Sequence, residues 1–241
     1  MSGYKLEVPS SDAGVVNVTD NYNTYDDKKN NLTIKTWAWK NVNAEYIGLV
    51  HYRRHFSSGW CRGEKRLRVV NQPQMEHVLE RVDVVLPRPR NYVIETNYSQ
   101  FAHAHHASDL DTVRDIIAER HPAYLPAFDR TMKRTKGHRF NMFVMRRSLM
   151  NRYCEWLFDI LFELEKRIDV SGYDAYNARV FGFIGERLLD VWLETEGVHF
   201  CEMPVVNLEK QNWPKKAAAF LMRKCGLRAK DGTIGYRRKK K

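Results

Sequence analysis

The sequence predicts an α/β fold, because short β-favouring apolar runs alternate along it with longer segments of helical periodicity. Residues 46–50 form one such apolar run, and residues 149–167 form the longest amphipathic segment. A chain of 241 residues is long enough to bury the core of one α/β domain with extensions. The helical spacing is clearest at Trp156, Leu157, Ile160, Leu161 and Leu164.

The predicted elements follow one another closely. Residues 1–31 are polar and weakly patterned, so we expect an irregular segment and no core strand there. Residues 91–106 favour neither a helix nor a strand. Pro87 and Pro89 end the second strand, and Gly197 is the expected stop of the last helix. The other predicted elements are helices at 32–41, 73–81, 110–121, 124–133, 149–167 and within 178–197, and strands at 46–50, 82–86, 140–145 and 205–208.

The composition excludes several classes of protein. The chain has 4 cysteines without a C-x-x-C pair, which argues against a structural zinc site and a disulfide framework and fits a reducing cytosol. No apolar run approaches the roughly 20 residues that span a bilayer, and the N-terminus lacks the apolar region of a signal peptide.

The positive charge is concentrated at the C-terminal end. Residues 209–241 hold twelve Lys or Arg and two acidic residues, and so supply +10 of the net charge of +11. Apolar residues stand among these lysines, from Trp213 to Leu227. This pattern is typical of a basic amphipathic segment that binds an anionic membrane surface. Nucleic-acid binding and a solvated tail without a role are the alternatives.

The strand at 46–50 ends in a cluster of basic and aromatic residues: His51, Tyr52, Arg53 and Arg54. Ligands of α/β proteins bind outside the carboxyl ends of the strands. Arginine suits phosphate because its planar guanidinium donates two parallel hydrogen bonds and stays charged. The cluster therefore favours a phosphorylated or nucleotide-bearing ligand, and the alternative is an edge strand ending in solvated charges.

Two further polar groups are candidates for ligand contacts. His103, His105 and His106 stand together, and they could bind a metal or, as we favour, donate hydrogen bonds to a sugar or phosphate. Asn141 interrupts an apolar run, so its amide either ties down a neighbouring loop or faces a ligand.

A carboxylate after two glycines is the candidate general base. Glu186 follows Gly182 and Gly185 near the start of a predicted helix. A carboxylate in a cleft can deprotonate a hydroxyl, although the same residue could simply interact with the helix dipole. Asp174 is the competing base.

Together these segments resemble a bacterial family found in capsular and exopolysaccharide gene clusters and filed as domain of unknown function 4422. The resemblance covers residues 20–215. It rests on these ordered motifs: W-A-W-K-N (37–41), E-Y-I-G-L-V-H-Y-R-R (45–54), D-V-V-L-P (83–87), Y-S-Q-F-A-H-A-H-H (98–106), F-N-M-F-V-M (140–145), Y-C-E-W-L-F-D-I-L (153–161) and R-V-F-G-F-I-G-E-R-L (179–188).

The resemblance implies a GT-A-like nucleotide-sugar transferase with a mixed, mainly parallel sheet flanked by helices, occupying residues 32–208. It implies an inverting transfer of a hexose, with galactofuranose from UDP-galactofuranose as the preferred donor, to a polysaccharide or lipid-linked acceptor. The enzyme would work at the inner face of the cytoplasmic membrane. The predicted roles are Glu186 or Asp174 as base, His51, Tyr52, Arg53, Arg54 and Asn141 at the donor, and His103, His105, His106, Arg179 and Arg187 at the acceptor.

Basic residues stand where many GT-A enzymes carry an Asp-x-Asp that holds a metal on the diphosphate. Guanidiniums can neutralise the leaving UDP directly. We therefore favour catalysis without a metal, and keep Mn²⁺ or Mg²⁺ as the alternative.

Two departures from the family pattern bear on activity. Relatives begin with a strand that runs into a T-H-K-like turn, and nothing in residues 1–31 matches it, so we expect the first strand to be missing. Relatives also carry Glu where this chain has Asn31. The alternative function is therefore a degenerate homologue that binds a membrane or nucleic acid.

Overall fold

The computed structural model describes residue 35, residues 38–50, 53–59 and 64–209, and the backbone of Val15–Val16. The chain divides into two compact units, Met1–Leu208 and Glu209–Lys241. Of the second unit only Glu209 is described, so the expected membrane-binding tail lies outside the described residues.

The first unit is built on a five-stranded sheet in the order β1-β2-β7-β4-β8. β1 pairs with β2 and β4 with β8 in parallel, whereas β7 is antiparallel to both β2 and β4. The sheet is therefore mixed, as predicted, but the parallel pairs of the described strands do not outnumber the antiparallel ones. Its strands are β1 (Val15–Val16), β2 (Tyr46–Leu49), β4 (Val84–Pro87), β7 (Phe143–Arg146) and β8 (Phe200–Met203).

β1 corrects the expectation that no core strand precedes β2. Val15 lies opposite Gly48 and Val16 opposite Leu49, so this strand forms the sheet edge next to β2. A strand of two residues is too short to show the alternation by which strands are recognised in a sequence.

Two small two-stranded sheets adjoin the central one. β3 (Arg54–Phe56) pairs with β9 (Val205–Asn207), and β5 (Arg90–Asn91) pairs with β6 (Lys136–Gly137), both antiparallel. Only β9 was predicted among these four. The others are two or three residues long, and their pairing depends on residues far away in the sequence.

The predicted helices are confirmed within a few residues, and residues 38–41 are helical as expected. Residues 91–106, for which the sequence predicts neither a helix nor a strand, contain a helix at Asn97–Ala104. Its N-cap, Thr96, accepts a hydrogen bond from the Ser99 N–H and Ser99 binds back, which closes a capping box without the usual Glu or Gln. The helices are α1 (Gln72–Leu79), α2 (Asn97–Ala104), α3 (Ala107–Arg120), α4 (Leu125–Lys133), α5 (Arg147–Arg167) and α6 (Val180–Thr195).

Side chains of the central strands alternate between the two faces of the sheet. Val84, Leu86 and Phe143 join the larger core with α3, α4, α5 and α6. Val85 and Val144 join a smaller cluster, against which Met75 and Val78 of α1 pack. Helices therefore flank the sheet on both faces, as predicted. Within the described part of the chain, no helix combines the length and apolarity needed to cross a membrane.

A buried asparagine joins three elements of this fold. The Asn97 side chain is fully buried, and its amide nitrogen donates to the backbone carbonyls of Thr131 (2.8 Å) and Lys136 (3.0 Å). Its oxygen accepts a hydrogen bond from the Arg139 guanidinium. Asn97 thereby holds the start of α2 against the end of α4 and against β6.

We expect Asn97→Ala to lower the free energy of unfolding by roughly 2–4 kcal/mol, because each buried polar group left without a partner costs about 1–3 kcal/mol. Urea unfolding measures this change. Asn43→Ala is the matched control, because Asn43 is exposed, and it should change the stability by less than about 0.5 kcal/mol. Equal unfolding midpoints for Asn97→Ala and the wild type would contradict the role given to Asn97.

Candidate active site

The direction of the strands brings several loops to one edge of the sheet. β1, β2, β4 and β8 run in the same direction, and β7 runs against them. The segments that follow β2, β4 and β8 and the segment that precedes β7 therefore lie at the carboxyl edge of the sheet. This is the edge at which α/β proteins bind their ligands.

The turn that enters β7 has an unusual backbone. Phe140 and Asn141 have φ angles of 81° and 50°, in the left-handed region that few residues other than glycine adopt. Such conformations cost on the order of 1–3 kcal/mol each and persist only where the surroundings hold them. Here the Asn141 side chain supplies part of that hold: it accepts a hydrogen bond from Lys35 Nζ (3.1 Å) and donates one to the Gly182 carbonyl (3.2 Å).

Glu186 lies beside this turn, in the second turn of α6. It is partly exposed, and it accepts a hydrogen bond from the Phe140 backbone N–H. Burial raises the pKa of Glu186, although the positive charges of Arg139, Arg187 and Lys35 oppose the rise. A raised pKa makes the carboxylate a better proton acceptor near neutral pH. The helix dipole acts mainly within the first turn, so it does not by itself account for this position.

Lys35 is a buried cation behind the turn. Its side chain is 2% exposed, and its Nζ lies 5.7 Å from the centre of the Phe143 ring and 5.3 Å from that of Tyr153. Burial lowers the pKa of Lys35 to about 8, against the opposing effect of Cys154 and Glu186. The amine is therefore close to the point at which it loses its proton in a weakly alkaline solution.

One arginine of the predicted donor cluster reaches the same turn. Arg54 lies in β3, and its guanidinium lies 4.3 Å from the centre of the Phe140 ring. Arg53 precedes it in a turn, where its carbonyl accepts a hydrogen bond from the Leu208 N–H (2.9 Å). His51 and Tyr52 lie outside the described residues. The structure thus brings Arg54, Asn141 and Glu186 together around Phe140.

The three predicted histidines point to three different places. His103 binds Glu95 (2.8 Å) at the surface. His105 stacks on Phe183 with ring centres 4.2 Å apart and binds the Asn177 side chain (3.0 Å). His106 lies against the Tyr173 ring, at 4.2 Å. The described residues contain no group of three or more side chains that could hold a metal ion.

His105 belongs to an aromatic cluster at the start of α6. The Tyr176 ring stacks on it at 5.2 Å and is 54% exposed. Burial lowers the pKa of His105, which favours the neutral form of the ring. Arg179 borders the cluster, with its guanidinium 5.7 Å from the centre of the Phe183 ring. A neutral ring with an exposed aromatic neighbour suits contacts with an uncharged sugar.

Two predicted roles do not fit the positions found. Arg187 is 3% exposed, and its guanidinium donates to the Phe183 carbonyl (2.8 Å) and to Gln100 (2.5 Å). It therefore joins α6 to α2 and is not presented to an acceptor. Asp174 accepts hydrogen bonds from the backbone N–H groups of Asn177 (2.8 Å) and Tyr176 (2.9 Å). These bonds lower the pKa of Asp174, which makes it a turn-capping residue and a weak base.

Sequence reasoning missed a buried polar network beside the site. His138 Nδ1 binds Asp190 (2.5 Å), and Arg139 donates to the His138 carbonyl (2.6 Å) and to the Tyr92 hydroxyl (3.3 Å). Burial lowers the pKa of His138, but Asp190 and Glu202 outweigh this effect and raise the pKa above its usual value. These residues lie far apart in the sequence and form no motif. Lys35 was missed for the same reason, because no sequence motif includes it.

We expect the wild type to gain stability relative to Lys35→Met as the pH rises from about 8 to about 10.5. Lys35 has a lower pKa in the folded chain than in the unfolded chain, so the unfolded chain binds more protons in this window and stability increases with pH. The two pKa values, about 8 and 10.5, correspond to a gain of about 3 kcal/mol.

Urea unfolding of both proteins across this pH window measures the gain. Lys40→Met is the control, because Lys40 is exposed, and it should show no such gain. A constant difference between the wild type and Lys35→Met would contradict the burial of the Lys35 amine.

Comparisons with known proteins agree with this fold. The apo structure of the bifunctional glycosyltransferase WbbM matches with a TM-score of 0.70 and 26% sequence identity. The match covers 79% of this chain and 39% of WbbM, so the chain spans less than half of the length of that protein. No curated protein matches the chain significantly.

The family model described as "Domain of unknown function (DUF4422)" matches residues 8–197. The match confirms the family that the motifs predict, and it begins within the segment that was expected to be irregular. The chain therefore belongs to the DUF4422 family and has a GT-A-like fold of the glycosyltransferase type.

Proposed function

We propose that this chain is an inverting glycosyltransferase that transfers a hexose from a UDP-sugar to a glycan acceptor. The observation that carries the proposal is the meeting of Arg54, Asn141 and Glu186 around the strained turn at Phe140. A cation for a diphosphate and a carboxylate with a raised pKa thus stand at the carboxyl edge of the sheet. The fold shared with a bifunctional glycosyltransferase supports this interpretation.

The donor diphosphate is assigned to the β2–β3 side of the site. Arg53 and Arg54 neutralise the charge that develops on UDP as it leaves, and His51 and Tyr52 belong to the same segment. Guanidiniums fixed in place stabilise such a charge without reorganisation during the reaction. Mn²⁺ or Mg²⁺ remains the alternative means of neutralising the diphosphate, and a chelator distinguishes the two.

The acceptor is assigned to the aromatic cluster at the start of α6. Tyr176 offers an exposed ring, and His105 presents a neutral imidazole held by Asn177. Arg179 lies beside them. Glu186 lies in the second turn of the same helix and binds the Phe140 N–H.

The proposed reaction follows from these positions. Glu186 removes the proton of the acceptor hydroxyl, whose oxygen attacks the anomeric carbon on the face opposite UDP. The bond from that carbon to the UDP oxygen breaks, and its electron pair leaves with UDP. The configuration at the anomeric carbon is thereby inverted.

Galactofuranose is the proposed sugar, because the family resemblance of the sequence motifs implies UDP-galactofuranose as the donor. A lipid-linked glycan or a growing capsular or exopolysaccharide chain at the inner face of the cytoplasmic membrane is the proposed acceptor. The basic segment of residues 209–241 supports this location through its charge. The alternative is a degenerate binding protein, to which two departures from the family pattern point. β1 supplies a first strand, whereas Asn31 in place of Glu remains a departure.

We expect Arg53→Ala and Arg54→Ala each to weaken UDP binding about tenfold or more, because a charge-assisted hydrogen bond contributes about 1.5–3 kcal/mol. Isothermal titration calorimetry with UDP measures the affinity. Arg114→Ala is the control: Arg114 pairs with Asp129 on the surface between α3 and α4, and its loss should leave UDP binding unchanged. Wild-type affinity in both site variants would exclude these arginines from the donor site.

We expect Glu186→Gln to lower turnover by roughly 10²–10⁴ while UDP binding is kept, because the amide preserves the shape and cannot accept the proton. UDP release from UDP-galactofuranose with acceptor present measures turnover. Asp174→Asn is the comparison variant and should stay within a few-fold of the wild type. Near-normal turnover in Glu186→Gln with a collapse in Asp174→Asn would move the role of base to Asp174.

A further inference from the structure

The loop between β5 and α2 presents two aliphatic side chains to solvent. Val93 is 72% exposed and Ile94 is 65% exposed, and neither belongs to the hydrophobic clusters of the described residues. The loop is held by local hydrogen bonds: Asn91 Oδ1 accepts from the Val93 N–H (2.9 Å), and the Tyr92 carbonyl accepts from the Ile94 N–H (2.8 Å).

The backbone at Val93 is strained. Its φ angle is 65°, and a β-branched side chain is a clear outlier in this region. Packing of the side chain does not offset this strain, because the side chain faces solvent. A strained position that presents an apolar side chain outward suggests a role outside the folding of the chain itself.

Basic side chains surround this tip. β5 pairs with β6, and the Tyr92 N–H donates to the Thr135 carbonyl (2.9 Å), so the loop lies beside the end of α4 and β6. Arg88, Arg90, Lys133 and Lys136 are exposed there. Among the described residues, no carboxylate forms an ion pair with any of these four, whereas neighbouring Arg134 pairs with Glu194 (2.7 Å).

A second tip of the same composition lies at the same edge of the sheet. Leu67 is 71% exposed, and Lys65 and Arg66 beside it are exposed as well. Its turn is bridged to the end of β3 through Ser57 and Val69, and β3 pairs with β9, which follows directly after β8. Both tips therefore belong to the carboxyl edge, where the candidate active site lies.

We propose that these two tips form a membrane-docking surface for a bilayer rich in anionic lipids. The surface consists of Val93, Ile94, Leu67 and the basic side chains around them. Exposed Lys and Arg side chains are attracted to anionic headgroups, and aliphatic side chains gain free energy where the headgroups meet the acyl chains. Nucleic acid matches the charges but offers the exposed Val, Ile and Leu side chains no comparable apolar environment. An acidic protein is the alternative occupant, and the vesicle experiment below distinguishes it from a bilayer.

The proposal does not depend on glycosyl transfer, and it places a membrane contact in the body of the protein in addition to the C-terminal segment. Its consequence is geometric. A bilayer bound at the carboxyl edge would lie next to the candidate active site, so an acceptor carried by a lipid would reach that site without leaving the membrane.

The test uses the full chain with the double substitution Val93→Asn and Ile94→Ser. Asn tolerates a positive φ angle, so the variant should unfold at the same temperature as the wild type or higher, and a loss of binding cannot be ascribed to misfolding. We expect about tenfold weaker binding to vesicles of mixed neutral and anionic lipids, which corresponds to about 1.4 kcal/mol. The loss should persist at high salt, because the apolar contribution is not screened.

Phe162→Ser is the matched control. Phe162 is also exposed (56%), but it lies on α5 beside Glu163 and Glu165, so its loss should leave vesicle binding unchanged. Equal binding by the wild type and the double variant would overturn the proposal.

Hydrogen exchange separates this surface from the C-terminal segment. With anionic vesicles, the amides of residues 92–96 and 65–69 should exchange more slowly, while those of residues 158–166 should not change. Vesicles of neutral lipid should give little protection. Slowed exchange confined to residues 210–241 would assign membrane binding to the C-terminal segment. Slowed exchange of the tips with DNA but not with vesicles would make them a nucleic-acid site, and either result would overturn the proposal.

Discussion

The paired hydrogen bonds of Asn141 are the interaction on which the candidate site depends. They join three parts of the chain that are distant in sequence: the helical segment of Lys35, the turn before β7 and the first turn of α6. They also help hold two consecutive residues at positive φ, which sets the direction of the Phe140 ring and of its N–H. Arg54 lies on that ring and Glu186 binds that N–H, so both positions follow from the turn.

Buried polar residues support the turn from behind. Arg139 and Arg187 are both at most 5% exposed, and Asn97 binds both, through its side chain and its backbone carbonyl respectively. Buried charges are costly unless hydrogen bonds satisfy them, and breaking such a network costs more than an apolar replacement does. The network therefore fixes α2 and α6 relative to each other and keeps positive charge close to Glu186 without exposing it.

Burial and hydrogen bonding shift the pKa values of the titratable groups in and around this site. Burial raises the pKa of Glu186 and lowers the pKa of Lys35 and of His105, so each of these groups is moved towards its neutral form. Asp174, at the surface, is shifted the other way by its hydrogen bonds to backbone N–H groups. The surroundings of the two candidate carboxylates therefore shift their pKa values in opposite directions, upward for Glu186 and downward for Asp174.

The sequence by itself determined the α/β class, the larger helices, strands β2, β4 and β7, and the family, because each rests on local periodicity or on contiguous motifs. It also indicated three candidates for the site: Arg54 in a basic cluster at a strand end, Asn141 inside an apolar run, and Glu186 after two glycines. Only the tertiary structure showed that Arg187 is buried and joins α6 to α2, and that the three histidines contact different residues. It also revealed strands β1, β3 and β8. Short strands and buried polar networks are stabilised by partners distant in the chain, so no local pattern records them.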